Sequence, residues 1–304
     1  MEESYIDSVS KLMDVLLNFK DDDSYFAYRG HADSTYRLEP SIYRKDKWYS
    51  NEHNIVREIT MRCPSEFTNM TSNFDKLVKM QHYNLPTRLL DITENPLVAL
   101  FFACISDEDK DKDKDGELLF FKVPKSDVNY FDSDNVSVVS NLAWVGSNFE
   151  ISSNERIHPK NFNSEKSIHA KEIVQAIRQE KPHLLEPINP KVIESVICVK
   201  PKLDNQRVIR QDGAFLLFGI SENKHHPAKI NDDWIFNPNN KRFIIKYSLK
   251  KNILAELNSI GISKAKLFPE IDMVSQFIKD NDELKYVKFK SELKKPLSKG
   301  MAFT

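Results

Sequence analysis

The chain has 304 residues, which is enough for one large domain or two small ones with a sizeable core. Hydrophobic residues make up 40% and charged residues 29%, as in soluble globular proteins, and the net charge of −1 argues against a nucleic-acid backbone as the main partner. Three scattered cysteines, no signal-peptide pattern and a longest apolar run of only residues 96–105 predict a cytoplasmic protein without a disulfide framework or a membrane span.

The N-terminal segment predicts an amphipathic helix over residues 4–19. Ser4 and Asp7 have the spacing of a capping box. Such a helix either packs on its own domain, which is the ordinary role of an amphipathic surface helix, or docks a partner. Four apolar side chains share one face of it: Ile6, Val9, Met13 and Leu16.

The rest of the chain predicts alternating strands and helices without a repeat or a clear linker. Asn95-Pro96 is a helix start, with asparagine as the N-cap and proline at the first helical position, and the helix that follows is apolar all round. Residues 221–241 read as a polar loop. Strands are expected at 24–30, 88–93, 116–124, 194–201, 213–220 and 242–249, and helices at 51–80, 165–181 and 250–262.

This organisation favours one α+β domain over residues 21–284, preceded by the helical segment 1–20. The tail, residues 285–304, is lysine-rich. A solvated C-terminal extension explains that composition, and a contact with nucleic acid or another partner is the alternative.

The first candidate site stretch, "FAYRGHADSTYRLEPSIYR" at residues 26–44, places Gly30 directly after Arg29 at the end of an aromatic strand. The chain has only seven glycines. A surface loop would explain a glycine here, and so would a strand end that brings its backbone close to a ligand.

The second and third stretches concentrate polar residues beside apolar strands. On a strand over 88–93, Asp91 and Thr93 point to one face and Leu90 and Ile92 to the other. Polar side chains beside so much apolar sequence are expected either to hydrogen-bond within the protein or to bind a ligand, because burying them without partners is costly. The alternatives are an internal network in which Asp91 pairs with Arg88 or Arg29, and a plain turn at 211–213. The residues concerned are His82, Tyr83, Arg88, Asp91 and Thr93 in the second stretch, and Gln211 and Asp212 before Gly213 in the third.

No metal site is expected. Residues 111–116 match the opening of a calcium loop, but the twelfth position of that loop would be Lys122, where a bidentate glutamate is needed. A charged hairpin tip accounts for the run better. The pair His225-His226 has no third ligand at a telling spacing.

Three stretches together resemble the FRG domain family: "YRG" at 28–30, "QHYNLPTRLLDITENPLVALFFA" at 81–103 and "RQDGAFLLFG" at 210–219. The family is named for a Phe-Arg-Gly step, and this chain has Tyr28 in the Phe position. The segment "KLFPEID" at 266–272 resembles the usual ending of the family, so the resemblance covers roughly residues 20–280.

The resemblance implies an architecture similar to that of the ADP-ribosyltransferases, in which three strand motifs converge on an NAD-binding cleft. We therefore expect an α+β fold with split mixed/antiparallel β-sheets, flanking helices and such a cleft. By this likeness Arg29 and His31 hold phosphate and ribose, and Asp91 and Thr93 form the second motif. Gln211 or Asp212 forms the third motif, where the transferases commonly have Glu. The expected catalytic residues are Arg29, His82, Asp91 and Gln211, and the expected ligand-binding residues are Tyr28, Gly30, His31, Tyr83, Arg88 and Thr93.

The implied function is binding of NAD or a related nucleotide, with cleavage of the nicotinamide bond and transfer of ADP-ribose to a macromolecule or to water. FRG-type proteins resemble bacterial and phage-conflict effectors, which implies a toxin or phage-defence role. A regulatory protein is a further possible partner. Two other functions stay open: a non-catalytic nucleotide-sensing module, and a nuclease that uses His31 and His82 as acid and base, each with a pKa near neutrality.

Overall fold

The computed structural model describes residues 2–17, 21–105, 113–163, 167–184 and 187–270. The strands of this part of the chain are β1 Glu2–Tyr5, β2 Ser24–His31, β3 Leu89–Thr93, β4 Gly116–Pro124, β5 Val128–Tyr130, β6 Val196–Lys200, β7 Gly213–Phe218, β8 Ile220–Ser221, β9 Asn223–Pro227, β10 Ile235–Phe236 and β11 Lys241–Ile245. The helices are α1 Val9–Leu16, α2 Asp46–Tyr49, α3 Glu52–Arg62, α4 Pro64–Phe67, α5 Asn73–His82, α6 Pro96–Cys104, α7 Asp134–Ser140, α8 Ser153–Ile157, α9 Pro159–Phe162, α10 Ile168–Glu180, α11 Pro190–Ile193, α12 Gln206–Arg210, α13 Tyr247–Ser259 and α14 Lys264–Leu267.

One mixed sheet of nine strands organises the fold. Eight of its strands lie in the order β1-β11-β4-β2-β3-β7-β6-β5, and β10 pairs with β4 beside them. The pairs β1/β11 and β5/β6 are parallel, and the other pairs in this sheet are antiparallel. Strands β8 and β9 form a separate two-stranded sheet. The α+β class with a mixed sheet and flanking helices is confirmed.

The nine-stranded sheet is nearly divided at its centre. Strands β2 and β3 pair through a single residue pair, Tyr28 opposite Thr93. By contrast, β2 pairs with β4 over all eight of its residues and β3 pairs with β7 over all five. The expected split therefore takes the form of one sheet whose halves meet at one point. The hydrogen bonding between β2 and β3 does not continue past that pair.

Two apolar cores lie between helices and the two halves of the sheet, and a third core, which includes Ala27 of β2 and Leu90 of β3, covers the opposite face. Helices α1, α6 and α13 pack on β2, β4 and β11 through Leu12, Leu100 and Ile253, which are fully buried. A second core joins α5, α7 and α10 to β3, β6 and β7 and includes Phe74 and Leu217. Burial of such side chains contributes about 1.5–3 kcal/mol each. Separate groups of helices therefore pack on β2 and on β3 on one face of the sheet, whereas a single core joins the two strands on the other face.

The N-terminal segment differs from the prediction of one helix over residues 4–19. Glu2–Tyr5 is a strand that extends the main sheet beside β11, and helix α1 begins at Val9. Its cap is Ser8, whose hydroxyl accepts from the Lys11 amide at 3.2 Å, and not the predicted Ser4. Residues 2–16 are thus built into the sheet and the first core.

Two further boundaries differ from the sequence-based assignment. The predicted strand at 242–249 ends at Ile245, because Lys246 caps the next helix, whose first residue is Tyr247. The predicted polar loop at 221–241 contains β9, β10 and the start of β11. The predicted Asn95 cap is confirmed, since its side-chain oxygen accepts from the Leu97 amide at 3.0 Å.

Some predictions fall outside the described residues. The tail 285–304 and the domain boundary at 284 lie there, as does Asp111 of the calcium-loop pattern. Asp115 is described, and its carboxylate accepts from Lys246 Nζ and from the Tyr247 amide, both at 2.8 Å, which satisfies the start of α13. Within the described ranges, every helix is too short or too polar to cross a membrane.

Candidate functional site

Strand β3 carries Asp91 into the gap between the two helical layers. Because Tyr28 and Thr93 are paired, their side chains lie on the same face, and the alternation of β3 adds Asp91 and Leu89 to that face. Tyr28 belongs to the core under α6, whereas Leu89 belongs to the core under α5. Asp91 lies between them and is exposed, while the other residues of β3 are buried. It is a charged side chain at the junction of two cores.

A short chain of hydrogen bonds orients the Asp91 carboxylate. Gln81 Nε2 donates to Asp91 Oδ2 at 2.8 Å, and Gln81 Oε1 accepts from the Thr87 hydroxyl at 2.7 Å. The Thr87 oxygen in turn accepts from the Leu89 amide at 3.1 Å. Because both ends of the Gln81 amide are bonded, its donor is fixed toward Asp91.

Arg29 approaches the same point from strand β2. Its Nη1 donates to the backbone oxygen of Asp91 at 2.5 Å, and its Nε donates to His31 Nε2 at 3.0 Å. Burial, together with the charge of Arg44, lowers the pKa of Arg29 to about 10. Arg29 is still protonated at neutral pH. The first and second stretches therefore meet in space, as the family resemblance implies.

The acid–base role that a nuclease would give to His31 is wrong. The residue is only 3% exposed. Burial and the neighbouring charge of Arg29 lower the pKa of His31 to about 3. A histidine with this pKa is neutral at physiological pH, and its Nε2 is already occupied as an acceptor by Arg29. His31 instead helps to hold the Arg29 guanidinium.

The third stretch joins the second through the end of β3. The Thr93 hydroxyl donates to the backbone oxygen of Gln211 at 2.6 Å and accepts from the Asn95 amide at 3.0 Å. The Glu94 amide donates to the backbone oxygen of Asp212 at 2.9 Å, and Asn95 Nδ2 donates to the carboxylate oxygen Oδ2 of Asp212 at 3.1 Å. Thr93 is 5% exposed and its hydroxyl is used in these bonds, so its predicted ligand contact is replaced by a structural role.

Gln211 and Asp212 form a turn, which the sequence analysis gave as one of its alternatives. Gln211 caps the C-terminus of α12, and Asp212 has a φ of 45°, so both precede β7 in a tight turn. The Gln211 side chain lines the central cavity, with its Nε2 donating to the Leu267 oxygen at 2.9 Å. The Asp212 carboxylate is directed at Asn95. The third stretch therefore contributes an amide, and no carboxylate, to the cavity.

A cavity of about 660 Å³ lies beside Asp91, between the end of helix α5, helix α12, strands β3 and β7, and residues 41–48. The residues of β2, Arg29 among them, do not line it. Its volume lies within the range of about 300–1,000 Å³ that is typical of small-molecule sites. Charged and polar groups line it together with the indole of Trp48. In full, the lining is Ser41, Arg44, Trp48, Val78, Gln81, His82, Asn84, Leu85, Pro86, Asp91, Ile92, Asn205, Arg207, Val208, Gln211, Gly213, Ala214 and Phe215.

Tyr28 and Gly30 serve the first core, and this corrects their expected contact with a ligand. Tyr28 is buried and packs edge-to-face on Phe120 with ring centroids 5.6 Å apart. A Cβ on Gly30 would lie 2.0 Å from the Ala99 oxygen and 2.4 Å from the Ala103 nitrogen. The glycine after Arg29 is therefore explained by the close approach of helix α6, and no ligand is needed to account for it.

Arg88 is sealed in a buried ionic network and cannot reach a ligand. It is 0% exposed and pairs through Nε and Nη2 with Glu52, the Nε bond being 2.8 Å long. Its Nη1 donates to the Phe218 oxygen at 2.8 Å. Lys224 Nζ lies 3.1 Å from the same Glu52 carboxylate. The predicted binding role of Arg88 is wrong because its donors already have internal partners.

His82 and Tyr83 end helix α5 beside a second cavity of about 490 Å³. His82 lines both cavities, and its Nε2 lies 3.1 Å from Glu270 Oε1. Arg207 Nη1 donates to the His82 oxygen at 3.2 Å and its guanidinium stacks on the Phe268 ring. Tyr83 lines the second cavity but not the central one, and it is 63% exposed.

Sequence reasoning missed Gln81, Arg44, Trp48 and Arg207, all of which line the central cavity. Gln81 opens the longest stretch that resembles the FRG family, and Arg44 closes the first candidate site stretch, residues 26–44. Their positions in those stretches were a usable signal. The alternation of one strand could not have found them, because all four come from helical segments. Arg44 ends the short 3-10 helix Ser41–Arg44, and Gln81, Trp48 and Arg207 lie in α5, α2 and α12.

Comparison with known proteins supports the family and leaves the activity open. The model of the FRG domain matches residues 24–112, which include Arg29, Arg44, Gln81 and Asp91. Neither the curated proteins nor the solved structures that were searched gave a match.

Proposed function

We propose that the central cavity binds NAD or a closely related nucleotide and that the protein cleaves its nicotinamide–ribose bond, passing ADP-ribose to a macromolecule or to water. The observation that carries this proposal is the oriented carboxylate of Asp91 in a cavity of about 660 Å³ that also presents two arginines. The resemblance of this segment to the FRG domain adds support.

The charge around the cavity suits a diphosphate. Arg44 and Arg207 line it, and Arg29, which does not line it, donates to the backbone oxygen of Asp91. Among the residues that the structure describes, Arg44 has no carboxylate within ion-pair distance. Guanidinium groups bind phosphate oxygens bidentately, in a geometry that lysine cannot match. In this proposal Arg44 is the main phosphate ligand and Arg29 holds the β3 backbone while adding positive potential.

Asp91 is the group that would assist the chemistry. When the nicotinamide bond breaks, its electron pair leaves with nicotinamide and positive charge develops on the ribose. A fixed carboxylate that faces this charge stabilises the transition state. Gln81 keeps the Asp91 carboxylate in place, and Gln211 offers an amide for a ribose hydroxyl. A water molecule or an acceptor group then adds to the anomeric carbon and loses a proton.

A non-catalytic nucleotide sensor is the second candidate, and one observation favours it. Asp91 provides the single carboxylate among the described residues that line the central cavity, since Asp212 is bonded to Asn95 instead. A site of this kind would bind NAD without turnover. A toxin or phage-defence role for the protein accords with either candidate and rests on the family resemblance alone. The proposed cytoplasmic location rests on the three scattered cysteines.

The test is release of nicotinamide from NAD by purified protein, with and without cell lysate as a source of acceptors. We expect turnover by the wild type and a loss of about a hundred- to a thousand-fold in Asp91→Asn, the typical effect of removing one electrostatic group from an active site. Asp127→Asn, an exposed change outside the cavity, is the matched control and should retain activity. Tight NAD binding without nicotinamide release would establish the sensor instead.

A further inference from the structure

The second cavity adjoins the central one along a shared wall. Its volume is about 490 Å³. It lies between helix α5, the segment that precedes α12 and the described end of the chain. Four residues line both cavities: Val78, His82, Asn205 and Arg207. A ligand that is longer than a mononucleotide can therefore extend from one cavity into the other over the His82–Arg207 wall.

Tyr83 gives this cavity an aromatic surface. Its side chain is exposed although it is large and aromatic, and its ring meets His82 only edge-on, with centroids 4.9 Å apart. Met70, Val78 and Pro201 add apolar surface to the lining. An exposed aromatic ring of this kind suits the flat face of a nucleobase, because stacking does not depend on which base is present.

Asp75 supplies a hydrogen-bond acceptor in the same cavity. Within the described ranges, its carboxylate has neither a hydrogen-bond donor nor a counter-ion in contact. Burial and the nearby charge of Asp204 raise the pKa of Asp75 to about 6, and Lys202 partly offsets this rise. The carboxylate is thus mostly ionised at pH 7. It can accept a hydrogen bond from an exocyclic amino group such as N6 of adenine.

We propose that the second cavity is an adenosine subsite, in which adenine stacks on Tyr83 and its amino group donates a hydrogen bond to the Asp75 carboxylate. The orientation of NAD in this inference rests on the proposed function, in which Asp91 acts on the nicotinamide end in the central cavity. It also makes the protein selective for a dinucleotide: both cavities are filled by NAD, whereas nicotinamide mononucleotide fills one. The adenine subsite itself does not require turnover.

The experiment is calorimetric titration of the full chain with NAD, nicotinamide mononucleotide and AMP. Tyr83→Ala should weaken NAD and AMP binding by roughly 5- to 150-fold, the equivalent of about 1–3 kcal/mol for one stacked base, and leave the mononucleotide within about twofold. Tyr130→Ala, an equally exposed tyrosine in β5, is the matched control and should change none of the three.

Each outcome decides between the two proposals. AMP binding that depends on Tyr83, without any nicotinamide release, would uphold the adenosine subsite while the proposed catalysis fails. NAD or mononucleotide binding that Tyr83→Ala leaves unchanged, or an absence of AMP binding, would overturn the subsite whatever the central cavity does. Far-UV circular dichroism of each variant verifies folding, which the exposure of Tyr83 leads us to expect unaltered.

Discussion

Replacing Gly30 with alanine tests why a glycine follows Arg29. The new Cβ would lie 2.0 Å from the Ala99 oxygen and 2.4 Å from the Ala103 nitrogen. Ordinary contacts between heavy atoms are near 3.5 Å or longer. Helix α6 or strand β2 would have to shift by more than about 1 Å. Because both clashes involve helix backbone, no change of side-chain rotamer relieves them.

The expected cost follows from how tightly α6 is held. Val98, Ala99 and Leu100 are fully buried between the sheet and α13. Overpacking of a well-packed core typically costs about 1–3 kcal/mol. A clash with the backbone of a central helix belongs at the upper end, so we expect about 3 kcal/mol. That is roughly a 150-fold change in the folding equilibrium.

The assay is urea unfolding followed by circular dichroism. With a slope of about 1–3 kcal/mol per molar urea, the midpoint of Gly30→Ala should fall by roughly 1–3 M. Gly213→Ala is the matched control: its nearest heavy atom is 3.4 Å from the new Cβ, and its free energy of unfolding should change by less than about 1 kcal/mol. A Gly30→Ala protein with wild-type stability but weaker nucleotide binding would refute the helix-packing explanation and restore the ligand explanation.

Two predictions concern the buried network of Glu52, Arg88 and Lys224. Glu52→Gln should lower the free energy of unfolding by about 3–5 kcal/mol, because two buried cations lose their counter-ion. The control is Glu58→Gln, which alters an exposed pair with Arg62 and should cost at most about 1 kcal/mol in the same urea assay. A loss no larger than that of the control would contradict the structural role of the network. Burial opposes ionisation of Glu52, but the charges of Arg88 and Lys224 outweigh it and lower its pKa below the ordinary value of about 4.3, so its contribution is complete above that pH and disappears as the pH falls through the lowered pKa. The stability difference between wild type and Glu52→Gln should therefore be constant from pH 7 to 5 and shrink only in more acidic solution, and a difference that already shrinks near pH 6 would contradict this.

Local patterns in the sequence identified most elements that build the site. The Asn-Pro step at residues 95–96 marked the start of α6, because the asparagine oxygen caps an amide and the proline needs no donor. Glycine followed by an apolar run marked the starts of β4 and β7. The family resemblance led to the expectation that three distant stretches converge. Arg29 bonds to the backbone of Asp91, and Asp91 and Gln211 line one cavity.

The remaining errors come from contacts between residues far apart in the chain. Arg88 was predicted to bind a ligand because its partner Glu52 lies 36 residues away, in helix α3, and the local sequence does not show their pairing. Gly30 was predicted to bring the backbone close to a ligand, because the alternation of residues along a strand does not show that helix α6 packs on β2. Strand β1 is only four residues long, which is too short for a recognisable strand pattern. It forms by pairing with β11, which lies far along the chain, and the local sequence does not show that pairing.

The most direct test of the central claim is a calorimetric titration of NAD into wild-type protein and Arg44→Gln. Arg44 lines the cavity and is exposed, so its replacement should leave folding intact. Arg37→Gln removes an equally exposed arginine outside the cavity and serves as the control. We predict that NAD binds the wild type and the control alike and binds Arg44→Gln at least about tenfold more weakly, as expected for the loss of one charge-assisted phosphate contact of about 1.5–3 kcal/mol. No NAD binding by the wild type, or equal binding by all three proteins, would contradict a nucleotide site beside Asp91.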